Sequence, residues 1–166
     1  MSSAEPPRCV PFAELAEGDL ACLTRLLQRT WPGYYGPGGP GDAAADIAAR
    51  CGGGGMPVGI AALRDGTPVG TATLAATGFG SNSGDPPVLI GLAVDPRHRG
   101  GGIGTTLVRA VRAEAHRRGH PRILATVTRA APLFRRLGWT PLRSVRDDAG
   151  TVWQVLESPA GQGTAM

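Results

Sequence analysis

The chain has 166 residues, of which 42% are hydrophobic, 18% charged and 5% aromatic, with 26 Gly and 15 Pro; a chain this long buries roughly 68–70% of its unfolded surface, enough for one hydrophobic core. All 17 basic residues are Arg, against 13 acids, for a net charge of +4, and the absence of lysine excludes a P-loop, a Schiff-base mechanism and a kinase-type Lys to Glu pair. No apolar run approaches the ~20 residues of a membrane span, Met1 to Pro7 has neither the basic nor the apolar part of a signal peptide, and Cys9, Cys22 and Cys51, with no C-x-x-C spacing, argue against a disulfide scaffold or a zinc ribbon.

A single domain over residues 1–166 is therefore predicted, with 1–7 and 158–166 as flexible ends, in a soluble, cytoplasmic protein. Residues 13–30 place Leu20, Leu23, Leu26 and Leu27 at helical spacing and predict a first helix, with Gly18 as a candidate break. Trp31 to Asp42 (WPGYYGPGGPGD) is too rich in Pro and Gly for regular helix or a central strand and is predicted to be a loop. Asp42 caps a second helix, Ala43 to Arg50, ended by Gly52 to Gly55.

Val58 to Leu63 and Val69 to Leu74 flank Asp65 and Gly66, the signature of a β-hairpin. After a Gly, Ser and Asn-rich connection, Val88 to Val94 (VLIGLAV) reads as a central strand buried on both faces. Residues 103–118 put Ile103, Leu107, Ala110, Val111 and Ala115 on one stripe and predict a long amphipathic helix ended by Gly119. Ile123 to Val127 is a strand, Pro132 to Leu137 a short helix, and Trp139 to Leu142 with Val152 to Leu156 a closing strand pair. Strand, long helix and strand form one β-α-β unit, so the fold class is α/β: a mixed sheet with parallel strands at its centre, flanked by helices, behind a β-poor N-terminus.

Chemistry concentrates between the buried strand and the long helix, in Asp95-Pro96-Arg97-His98-Arg99-Gly100-Gly101-Gly102-Ile103-Gly104. Consecutive glycines let successive N–H groups point to one side, and the helix start adds its own free N–H groups. Together they make a nest for a phosphate or pyrophosphate, to which Arg97 and Arg99 add charged donors. The dinucleotide fingerprint fails, because Leu107 stands where its third glycine belongs. The literal match at Gly36 to Gly41 follows a helix and contains two prolines.

The pattern that fits is R-x-x-G-x-G, read as Arg99-x-x-Gly102-x-Gly104, after an apolar strand ending in Val-Asp-Pro. Here the sequence resembles the GNAT superfamily of acetyl-CoA-dependent N-acetyltransferases. The resemblance runs from Val88 to Leu142 and includes LAVDP, RHRGGGIGTTLV, RILATVT and APLFRRLGW. It implies the GNAT-like acyltransferase fold, with two parallel strands that splay, and acetyl-CoA as cofactor. The main chain of Arg99, Gly100, Gly101, Gly102, Ile103 and Gly104, with Thr105, would hold the pyrophosphate of coenzyme A. Leu92, Ala93 and Val94 would pair with the pantetheine arm, and Phe134 would pack against the cofactor. Family members bulge in this strand, and Gly91 would permit it here.

The implied reaction is attack of a neutral amine on the thioester, with an N–H stabilising the oxyanion. Many relatives carry a Tyr in the late helix as acid, where this chain has Phe134, and some place a Glu in the strand that here is Val88 to Val94. Catalytic residues stay unassigned, with Tyr34, Tyr35 and Thr126 as candidates and Trp31, Tyr34, Tyr35 and Thr128 as candidate acceptor contacts. His98 faces solvent, and His116 and His120 lack a third ligand, so no metal is expected. The acceptor is expected to be a primary amine of a small molecule or a peptide N-terminus. Residues 1–95 carry 5 Arg against 9 acids and 96–166 carry 12 against 4, which favours a cationic acceptor. A homodimer through the terminal strands would follow the relatives. A non-catalytic acyl-CoA-binding module is the alternative, while nucleic acid lacks a matching motif and no membrane partner is expected.

Overall fold

The computed structural model describes residues 5–160. Seven strands form one sheet in the order β1-β2-β3-β4-β5-β7-β6. In chain order these are β1 (Arg8–Pro11), β2 (Val58–Arg64), β3 (Thr67–Ala75), β4 (Val88–Val94), β5 (Leu124–Val127), β6 (Thr140–Arg146) and β7 (Val152–Glu157). The helices are α1 (Glu17–Thr30), α2 (Pro32–Tyr35), α3 (Ala43–Ala49), α4 (Ile103–Arg117) and α5 (Ala131–Arg136). α1 and α3 cover one face of the sheet, packing Leu23, Leu27 and Ile47 with Ala61, Leu63 and Ala93. α4 and α5 cover the other, where Leu107, Val111 and Phe134 meet Leu74, Leu89 and Trp139.

The β2–β3 hairpin turns on Asp65 and Gly66, both left-handed at φ 51° and 78°, which matches the right-handed twist of the flanking strands. The side chain of Asp42 accepts the N–H of Ala45 at 3.0 Å and starts α3. Gly18 lies inside the first turn of α1; the interruption falls before it, between a short turn of 3₁₀ helix at Phe12–Glu14 and Glu17.

The β-poor N-terminus holds one short strand, β1, which pairs antiparallel with β2; four residues ending in proline leave no readable period. The Trp31 to Asp42 stretch is not all loop, since Pro32 at the first position starts the one-turn α2, where its missing N–H costs nothing. β4 is not sealed on both faces: Ile90, Gly91, Leu92 and Val94 are half-buried. Of the predicted flexible ends, residues 1–4 and 161–166 lie outside the described residues. Ser158 is buried, with its N–H donating to the Ile123 carbonyl and its Oγ accepting the Ile123 N–H, both at 2.9 Å.

Two features of β4 position everything below. Thr71 pairs with Ala93 and Thr73 with Ile90, so Gly91 and Leu92 together stand opposite Ala72, a β-bulge. The parallel pairing of β4 with β5 consists of Val88 with Leu124 and Leu89 with Ala125. Beyond Leu89 the two strands part.

Candidate active site

β4 ends in a turn held by Asp95. Its backbone N–H donates to the Val69 carbonyl at 2.8 Å and its carbonyl accepts the His98 N–H at 2.8 Å. Its carboxylate, only 6% exposed, accepts the N–H of Arg97 at 3.0 Å and the Nε and Nη2 of the same residue at 3.3 and 3.0 Å. Those bonds from Arg97 hold the Asp95 carboxyl at about 2, well below the ordinary carboxylate range. Arg97 is therefore committed to Asp95 and not to an external anion. Arg99, exposed, is the neighbouring guanidinium that makes no such bond.

After Arg99 the backbone turns through Gly100 at φ +85° and Gly102 at φ +77°, and a Cβ built on either would meet nothing within 4 Å. The glycines are required by backbone handedness and not by crowding. Open space lies in front of them. Gly102 is the N-cap of α4 and supplies no side chain to cap it, so the N–H groups of Ile103, Gly104 and Thr105 have no intrahelical acceptor. This is a concave row of donors at the positive end of a 15-residue helix, with the chemistry of a phosphate cradle. Gly104 differs, because a Cβ there would lie 3.3 Å from Cδ2 of Leu133. Its smallness serves the packing of α4 on α5.

From the cradle the opening between β4 and β5 runs past Val94, Ala93 and Leu92 to the bulge. Gly91 adopts φ +64°, and its missing Cβ would lie 3.1 Å from Nη1 of Arg50. Arg50 follows α3 and is 8% exposed; its carbonyl accepts the N–H of Gly59 at 2.9 Å, which fixes it over the sheet. Its Nη2 lies 3.9 Å from Oδ2 of Asp46, and that same oxygen accepts the hydroxyl of Tyr35 at 2.7 Å. Nη1 has no partner. Burial, and then the bond to Asp46, push the Tyr35 phenol up to about 12 against the opposing effect of Arg50. A phenol so reluctant to ionise is a poor proton donor near neutrality.

The other predicted residues divide by position. Tyr34 is 51% exposed and meets Tyr35 edge-on at 4.8 Å, and Trp31 lies 6.5 Å from the Tyr35 ring. These three and Asp46 form one cluster beside Arg50. Thr126 is engaged elsewhere, its hydroxyl donating to the carbonyl of Phe79 at 2.6 Å, and Thr128 is exposed just past the end of β5. Phe134 is 1% exposed and packs edge-on against Trp139 at 4.8 Å, so little of its ring faces outward. Arg50 and Asp46 were not singled out from the sequence. An Arg closing a helix is ordinary dipole complementation, and only the folded chain brings it to Gly91.

The sequence profile of the Acetyltransferase (GNAT) family matches residues 21–139. Among solved structures, an aminoglycoside 6′-N-acetyltransferase complexed with coenzyme A is 17% identical, with a TM-score of 0.75 over 91% of this chain and 96% of that one. The ribosomal-protein-alanine N-acetyltransferase of Brucella melitensis is 19% identical, with a TM-score of 0.70 over 91% and 98%. The yncA protein of Salmonella typhimurium, solved with its cofactor acetyl-CoA, is 17% identical, with a TM-score of 0.72 over 97% and 98%. At such identities the likeness is one of fold. No curated protein matches the chain in sequence.

Proposed function

This chain belongs to the GNAT acetyltransferase family, and from that premise we propose how it carries out acetyl transfer from acetyl-CoA to an amine. The cofactor supplies the thioester: the amine nitrogen forms the new C–N bond, the C–S bond breaks, and the proton lost by nitrogen ends on the coenzyme A sulfur. The chain's part is to bind, orient and polarise.

The observation that carries the assignment is the glycine turn, left-handed at Gly100 and Gly102 with open space before it and an uncapped helix behind it. In this reading the amides of Arg99 to Thr105 hold the pyrophosphate, and Arg99 adds charge. The edge of β4 at Leu92, Ala93 and Val94, with Leu92 and Val94 half-buried and Ala93 buried, is left without a β5 partner and pairs with the pantetheine arm. The reacting carbon then lies beside the bulge, where a preorganised N–H of the strand polarises its oxygen. Tyr34 is favoured over Tyr35 as a proton donor, because the Tyr35 hydroxyl is spent on Asp46. Trp31 and Tyr35 shape the acceptor side.

The acceptor is a primary amine, of a small molecule or a peptide N-terminus, in a single-domain cytoplasmic enzyme. Pairing of two copies through the outer strands is supported by β6 at the sheet edge and by exposed Leu142 and Val152.

Calorimetric titration with acetyl-CoA tests the cradle. Gly102→Glu sets a carboxylate against the phosphate and is expected to abolish binding while leaving the far-ultraviolet circular dichroism unchanged. Undiminished affinity in that variant would remove the site. Tight binding with no thiol release across an amine panel would favour a non-catalytic acyl-CoA module.

A further inference from the structure

A guanidinium that is 8% exposed with an unpartnered Nη1 is expensive, because a buried donor without an acceptor keeps the full cost of losing water. Asp46 does not remove that cost. Its carboxylate lies 3.9 Å from Nη2, beyond hydrogen-bond distance, and is turned to the Tyr35 hydroxyl. A second buried orphan stands nearby: Oγ1 of Thr73 has no partner among the described residues, and Thr73 pairs in register with Ile90, the residue before Gly91. Both unmet groups flank the bulge from the α1/α3 face. The wall between Arg50 and the opening is a glycine, the one residue type that presents no side chain there.

We propose that Arg50 receives the carboxylate of the acceptor, so that the enzyme acetylates a small amino acid and not a polycationic amine. The inference rests on the transferase reading above, since that reading puts the reacting carbon beside the bulge. A planar carboxylate satisfies a guanidinium edge with charge-assisted bonds that few neutral groups can match. Because Nη1 lies against Gly91, the carboxylate and the attacking nitrogen are close neighbours, as in an α- or β-amino acid. Asp46, whose side chain is 39% exposed, stands on the entry side with the opposite charge and complements the ammonium of the arriving zwitterion. The excess of acids in the N-terminal half, read from composition as favouring a cation, therefore describes the approach and not the anchor.

The test is thiol release from acetyl-CoA with matched acceptors: the common α-amino acids and β-alanine, against their amides and their decarboxylated amines. Acids are expected to exceed the matched amides by about tenfold or more in kcat/KM, the worth of a charge-assisted bond. Arg50→Met, with acetyl-CoA affinity measured beside it to establish that the fold persists, is expected to raise KM for the acids, move kcat less, and erase the preference over amides. Arg50→Lys should restore part of it. Amides as good as acids, or an acid-to-amide ratio unchanged in Arg50→Met, would overturn the proposal and leave the transferase reading standing. Equal loss of kcat for every amine would likewise overturn it, by showing that Arg50 only shapes the bulge. If acetyl-CoA does not bind, the transferase reading fails. Direct calorimetry of the amino acids on the wild type and Arg50→Met then decides, with Arg50-dependent binding in support and none against.

Discussion

Gly91 and Gly102 both hold left-handed backbone, yet substitution has different consequences at the two. Gly102→Ala meets open space and should cost only the conformational penalty, about 1 kcal/mol. Gly91→Ala adds a contact at 3.1 Å with a buried guanidinium, so about 1–3 kcal/mol is expected in urea unfolding, together with loss of turnover as the bulge shifts. Asp95 sets an acid limit on stability. Its carboxyl is depressed to about 2 from an ordinary 3.8, so the stabilisation is complete above pH ~4 and is lost as pH falls toward 2. Arg97 is 80% exposed on its side chain, and solvent screening holds the contribution to about 1 kcal/mol. Asp95→Asn should lower the melting temperature at neutral pH and flatten its decline in acid. Phe134→Tyr would force a hydroxyl into a fully buried edge contact with Trp139, and a loss of about 1–3 kcal/mol with no gain in turnover is expected.

At the scale of elements, the segments with strong period or punctuation were legible. β4 was bounded to the residue, the hairpin by Asp65-Gly66, and α4 by its apolar stripe and Gly119. The glycine turn was legible as a left-handed turn into an uncapped helix start because handedness and helix ends are local properties. Short elements were not: β1 has four residues, and α2 is one turn inside a stretch dominated by breakers. The Arg50, Asp46 and Tyr35 cluster was invisible because it joins two helices and a strand through packing alone. The bond made by Thr126 was invisible for the same reason, since its hydroxyl is claimed by a loop residue 47 positions away. Thr126→Val should cost about 1 kcal/mol and leave thiol release near the wild-type rate, a result that would identify Thr126 as an anchor for the Phe79 loop.

For the whole molecule, the sequence gives the sign asymmetry but not its geometry. Among the described residues, Arg109, Arg112, Arg117 and Arg122 gather with His116 and His120 around a groove of about 630 Å³ that reaches the C-terminal end of α4, away from the glycine turn. The positive field is therefore spread along the helix. Capture of an anionic cofactor should slow as ionic strength rises from about 0.01 to 0.15 M, where the Debye length shrinks from about 30 to 8 Å; stopped-flow binding reads this. Light scattering tests the paired state, and Leu142→Arg is expected to shift it toward the single copy.

The seam between β4 and β5 has a mechanical consequence. Four strands lie on one side and three on the other, joined by two rungs of the ladder. A molecule seated in the wedge acts as a keystone, tying leaves that otherwise meet at the spine and through the Phe79–Asp85 connection, which bonds to Thr126 and Arg143. Occupancy at a hundred times the dissociation constant adds about 2.7 kcal/mol by mass action. Amide exchange should show that gain first along Ile90 to Val94 and Thr126 to Val127, the facing margins of the wedge.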